Sequence, residues 1–132
     1  MEKERLQEYA ARVTQANRSE LVVIIYEATL ASIEEGKKYL KQGEIEAARH
    51  EIERARSMIT ELMASLDLQY EISHYLRQLY VFAYRELCQG IANRDPEQLN
   101  HATDIFEALL PSFKEVAKQD DSEAVMKNKS EA

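Results

Sequence analysis

Two residue pairs in this chain combine side chains that could do chemistry with a spacing that could bring them together. Glu71 and His74, in "EISH", form a Glu-x-x-His step. On a helix that step puts a carboxylate and an imidazole on one face, as a di-iron or di-manganese centre in a helical bundle requires. Such a centre also needs a second Glu-x-x-His and two further inward carboxylates, and no second pair occurs. Both residues fall on the polar arc of their segment, so they read as solvated surface, and neither metal nor cofactor is expected. Arg94 and His101, in "RDPEQLNH", have six residues between them. There an Arg could stabilise phosphate charge while a His moves a proton. Cys88 lies in an apolar stretch and reads as a small core residue, and His50 sits among charges and faces solvent. No Gly-rich phosphate loop, Cys/His cluster or nucleophile elbow is present. These residue types do not ask for catalysis, and the chain is expected not to be an enzyme.

Charge bears on the phosphate chemistry. The chain carries 24 acidic against 17 basic residues, a net charge of −7. A nucleic-acid-binding face needs clustered Lys and Arg to displace counterions, and no such cluster is long enough. The Arg94–His101 spacing resembles the Arg-x4–6-His signature of helical-bundle ribonucleases of the HEPN superfamily. That spacing is common by chance, and an acidic chain offers RNA no surface. No nucleic-acid partner is expected. A single cysteine excludes an internal disulfide and fits a reducing compartment. The first residues, "MEKERLQEY", are charged throughout, unlike a signal peptide. The longest apolar run is far short of the ~18 residues that cross a membrane. A cytoplasmic protein with no membrane partner is expected.

The elements that would position these groups are helices. The 132 residues include only three Gly and two Pro, too few for a fold rich in tight turns. Ile45, Ala48, Ile52, Ala55, Ile59, Leu62 and Leu66 recur at steps of three and four, the seam of a helix packed along its neighbours. Leu99, Ala102, Phe106, Leu109, Phe113 and Val116 repeat the pattern after a clear start: Asp95 as cap, Pro96 at the first helical position and Glu97 in the first turn. Pro111 should kink that helix near Glu107. Gly43 is expected to cap the C-terminus of the first long helix, and Ser19 its N-terminus. Short loops predict an all-α, antiparallel up-down four-helix bundle over residues 1–118, with a short N-terminal cap helix at 3–15. Residues 119–132 have too little apolar surface to offset their ordering entropy and are expected to be disordered.

Two helices are more apolar than such a bundle needs. In "SELVVIIYEATL", Leu21 to Tyr26 point in every direction on a helical wheel. Over roughly residues 70–93 the apolar set spreads across roughly 260° of the circumference. A bundle stripe needs little over ~100°. The surplus carries Tyr75, Tyr80, Phe82 and Tyr84, aromatics suited to recognition. Leu6, Tyr9, Ala10 and Val13 form a short amphipathic turn that could fold back on the first long helix. The alternative cover for the surplus is another protein, or a second copy of this chain in a homodimeric adaptor bundle.

The residues themselves resemble a known family. "YAARVTQANRSELVVIIYEATL" is similar to the N-terminal signature of the flagellin export chaperones, the FliS family, through Tyr9, Val13, Ala16, Glu20, Leu21 and Tyr26. "MITELMASLD", residues 58–67, is similar to the end of that family's second helix. "LRQLYVFAYRELCQGIANRD" is similar to its third, with Leu79, Tyr80 and Leu87 in the family's pattern. The resemblance runs from Tyr9 to Ala117. The chain departs from the family pattern at Arg18, where the family has Pro, and at "LQYEISHYL", which lacks the usual Gly. The resemblance implies a cytoplasmic bundle that binds the C-terminal helical segment of flagellin one to one and keeps it from polymerising before export. The free protein would be a monomer or weak homodimer. The surplus faces and this resemblance together select Tyr9, Val13, Leu21, Ile24, Tyr75, Leu79, Phe82 and Tyr84 as expected partner-binding residues.

Overall fold

The computed structural model describes residues 18–131, with side chains over 18–119. The expected cap helix at 3–15, with Tyr9 and Val13, lies outside the described residues. Four helices follow in order: α1 (Arg18–Lys41), α2 (Ile45–Ala64), α3 (Glu71–Ala92) and α4 (Pro96–Glu131). No strand occurs among the described residues. α1 packs on α2 and α4, and α3 packs on α4 and more sparsely on α2, so the helices close a ring around one core.

Each helix turns a three-four ladder to that core. In α2 it is Ala48, Ile52, Ala55, Ile59 and Leu62, as the spacing predicted. In α1 it is Tyr26, Thr29, Ile33, Gly36 and Leu40, and in α3 Ser73, Leu76, Tyr80, Ala83, Leu87 and Gly90. Small and polar members hid these two ladders among more apolar neighbours. Thr29 tolerates burial because its hydroxyl donates to the Ile25 carbonyl at 2.7 Å. Gly36 lets α1 approach α2 closely: a Cβ there would sit 2.7 Å from Ile52 Cδ1. In α4, Leu99, Ala102 and Phe106 are buried as expected, but the seam then passes to Ala117 and leaves Val116 44% exposed. Eleven residues from Phe106 to Ala117 make three turns of helix, whereas the ten to Val116 fall short.

Local chemistry fixes the ends. Gly43, at φ 78°, closes α1: Gly43 N–H bonds the Leu40 carbonyl and Glu44 N–H the Tyr39 carbonyl. Arg94 closes α3 the same way at φ 53°, with Asp95 N–H on the Gly90 carbonyl at 2.8 Å. Asp95 then caps α4 through Oδ1, which accepts from the amides of Glu97 and Gln98. Ser19 is no cap, since the helix already includes Arg18. α4 continues past Pro111, and its backbone stays helical through the expected disordered tail to Glu131. Residues 115–131 contain neither Gly nor Pro, and Ala, Glu, Lys and Met favour helix without any packing.

At the centre of the core, Tyr26 and Tyr80 reach each other from opposite corners of the ring, hydroxyl to hydroxyl at 2.6 Å. Both are buried, at 0% and 2% exposure. Phe106 and Phe113 meet the Tyr26 ring edge-on at 5.3 and 5.2 Å between centroids. Burial pushes the Tyr26 hydroxyl far above its ordinary value, and the bond to Tyr80 adds to the shift. Burial also raises Tyr80, against the opposing effect of the same bond.

Two outcomes follow from this pair. Tyr26→Phe strands the Tyr80 hydroxyl and should cost about 1–3 kcal/mol, while Tyr26→Phe with Tyr80→Phe should cost less than the two single changes summed. Urea denaturation of the four proteins measures that coupling. Second, both hydroxyls stay protonated in the fold above the pH at which they ionise in the unfolded chain. Their contribution is therefore complete below pH 10.0 and is lost as pH rises beyond it. Loss of helical circular dichroism above that pH should coincide with the last tyrosinate absorbance to appear; buried tyrosinate forming in a still-helical protein would contradict this.

Candidate functional site

One residue before each rung of the α3 core ladder stands a rung of a second ladder: Ile72, Tyr75, Leu79, Phe82, Glu86 and Gln89. A single-residue offset turns a helix by 100°, so this ladder runs along the flank of α3 instead of into the core. Its upper members are apolar and face water. Ile72 is 61% exposed, Tyr75 57% and Phe82 45%, with Leu79 half-buried between them. Leu68 and Tyr70, in the preceding loop, extend the patch.

The lower members of this ladder show which neighbour it borders. Glu86 accepts from Gln98 Nε2 at 3.0 Å and pairs with His101 Nδ1 at 2.9 Å, and Gln98 Nε2 also reaches Gln89 Oε1. Hydrogen bonds from Gln98 and His101 hold the Glu86 carboxyl below its ordinary range, so it stays charged at neutral pH. Gln98 and His101 belong to α4, so the stripe lies on the α4 side of α3. By helical phase Ile105, Leu109 and Val116 carry the same flank of α4 upward. The stripe is thus apolar along most of its length and tied off at one end by a polar clasp.

A groove of about 480 Å³ adjoins the stripe at the end of the bundle, where α1 begins, α2 ends and α3 begins. Leu21, Ile25, Leu62, Leu66, Leu76 and Phe113 give it an apolar lining, and Tyr70 borders both groove and stripe. A cleft between α1 and α4 is charged by contrast, with Glu20, Glu27, Lys114 and Lys118 around it.

The structure sorts the expected residues. Tyr75, Leu79 and Phe82 come together on the stripe, and Leu21 lines the groove. Ile24 is 4% exposed and is not available to a partner as expected. A wheel treats every side of an apolar run alike, whereas here solvent reaches Leu21, Val22 and Ile25 and not Ile24. Tyr84 lies on the opposite flank, half-buried, where Arg56 donates to its hydroxyl at 3.0 Å and stacks over its ring at 4.9 Å. It fastens α3 to α2 and does not join the exposed aromatics. Tyr80, also counted as surplus, is core. Ile72, Leu68, Tyr70 and Val116 are exposed large apolar residues that were not among the expected ones. The one-residue offset between two ladders was the signal that could have found Ile72.

The two chemical pairs are accounted for by position. Glu71 and His74 are exposed, with His74 Nε2 on the Leu68 carbonyl at 2.8 Å. Arg94 serves as a helix terminator, and His101 is engaged by Glu86. Among the described residues no group of three or more His, Cys, Asp or Glu is placed to hold a metal, and no helix is long and apolar enough to cross a membrane. No curated protein matches the chain. A family model, that of the flagellar protein FliS, matches residues 1–120. Its all-helical fold agrees with that match, and the chain belongs to the FliS family of flagellar chaperones.

Proposed function

We propose that this protein is a cytoplasmic export chaperone that binds the C-terminal helical segment of flagellin one to one, preventing polymerisation before type III flagellar secretion. The observation that carries this is the stripe of Ile72, Tyr75, Leu79 and Phe82. Large side chains at steps of three and four, three of them 45–61% open to water, match the anchors of an amphipathic helix laid alongside. Family membership supports the role, and the short loops and closed ring support an up-down, antiparallel bundle. The free chain is a monomer or weak homodimer. The segment 3–15, with Tyr9 and Val13, competes with cargo for the surface beside α1 in this proposal.

The stripe is tested by charge. Tyr75→Glu and Phe82→Glu should each weaken binding of a flagellin C-terminal peptide by about thirtyfold or more, as for a lost hot spot of ~2 kcal/mol, with the melting temperature nearly unchanged. Leu76 is the control at 7% exposure. A buried unpaired carboxylate there costs several kcal/mol against a total of ~5–15, so Leu76→Glu should unfold the bundle. Stable aromatic variants that still bind the peptide would place the cargo elsewhere. Aromatic variants that convert a dimer to a monomer without affecting the peptide would favour the homodimeric adaptor.

Deleting residues 1–15 should raise peptide affinity, because a docked cap reduces the binding-competent fraction. Isothermal titration of the truncated and full chains decides this, and unchanged or weaker binding would rule out competition.

A further inference from the structure

α4 outlasts both of its neighbours. It has 36 residues, against 24 in α1, 20 in α2 and 22 in α3. The charged cleft sets Glu20, Val23 and Glu27 of α1 beside Lys114, Ala117 and Lys118, so Arg18, where α1 begins, stands level with about residue 120. The bonds from His101 to Glu86 and from Gln98 to Gln89 place Glu71, the first residue of α3, level with about residue 116. The backbone of α4 stays helical to Glu131, so its last turns project about 15 Å past the start of α1. Three turns of single helix are marginal in water even where propensity favours them.

The chain that can cover this projection is joined to its base. Along α1 the line beside α4 is Glu20, Val23 and Glu27, at steps of three and four. Counted upstream by the same steps, it reaches Ala16, Val13, Tyr9 and Leu6, apolar residues of the segment before α1. Residues 1–18 contain neither Gly nor Pro, and Arg18 is already helical, so no residue there breaks a helix that continues upstream. On α4 the line from Lys114, Ala117 and Lys118 passes on through positions 121, 125 and 128.

We infer that residues 3–17 continue α1 in line and pack along the projecting end of α4, carrying the seam between these helices beyond the bundle as a two-helix projection. Continuity selects this occupant. The seam already exists where Tyr26 meets Phe113 and in the cleft above them, and the segment enters it tethered, at an effective concentration that a free peptide does not reach. The inference goes beyond the chaperone proposal and draws nothing from cargo. A segment standing on the projection is off the surface beside α1, so the two places exchange and each is measured separately.

Disulfide trapping reads the contact in the full chain, with Cys88→Ser removing the native thiol. Val13→Cys with Val125→Cys puts one thiol on each line at the same level. Val13→Cys with Glu123→Cys moves the second thiol by two residues, about 200° around α4, to its far side. Under mild oxidation the first pair should close about tenfold faster than the second, at a rate independent of protein concentration. Equal rates, a faster second pair, or a rate that rises with concentration would overturn the inference. Hydrogen exchange of the backbone at 121–131 should also be severalfold slower in the full chain than after deletion of residues 1–17, with the core of the bundle unchanged. Exchange there that ignores the deletion would show the projection to be uncovered and would equally overturn it. Failure of the flagellin peptide to bind, with the first pair still closing, would count against the chaperone proposal and not against this contact.

Discussion

The hydroxyl contact between Tyr26 and Tyr80 joins helices that do not otherwise pack on each other. In a ring of four helices the two diagonals are bridged only by side chains long enough to cross the core. A pair of tyrosines meeting at their tips is long enough, and each satisfies a polar atom that would otherwise be orphaned. The rings beneath these hydroxyls pack against Phe106 and Phe113, which brings α4 into the same cluster. One rotation of α1 and one of α3 bring the hydroxyls together, so the contact sets the phase of both helices. The phase of α3 in turn decides which residues fall 100° from the core and become the exposed stripe.

That dependence explains what could be read in advance. The α2 ladder was plain because its partners are Ile, Ala and Leu set against charged neighbours. The ladders of α1 and α3 use Thr29, Gly36, Ser73 and Gly90, which a search for apolar periodicity passes over, and the β-branched run before Tyr26 drew attention from the true seam. The excess of apolar surface on α3 was legible, and part of it is exposed. Which aromatics it included was not. Tyr75, Tyr80 and Tyr84 share a residue type, yet one faces water, one the core and one a neighbouring helix. Only the angles between them, anchored by a contact across the bundle, separate those fates.

Resemblance and physics meet on the same residues from different directions. Tyr26 and Tyr80 entered as matches to a family pattern and turn out to be the two halves of the central contact. Pattern matching could not say whether such a residue touches cargo or holds the scaffold, because both roles constrain a side chain. Burial separates them: Tyr26 and Tyr80 are enclosed, while Tyr75 and Phe82, which are not matched positions, are open. At the end of α4 the backbone is helical over residues expected to gain nothing from a core. A polar composition argued against order, but helix formation needs only local propensity, and the backbone there follows its residues.

The seam between α2 and α3 is the sparsest in the ring, and the six residues linking these helices, 65–70, form the longest of the three loops. Arg56 on Tyr84 is its principal polar fastening. The other three seams are more extensive, so the bundle has a built-in line of cleavage. Sub-global opening costs least free energy there, with α3 and α4 moving as one hairpin against α1 and α2. The groove at the loop and the stripe on α3 both border that hairpin, so this surface is the most compliant in the bundle near the loop and stiffest at its clasped end.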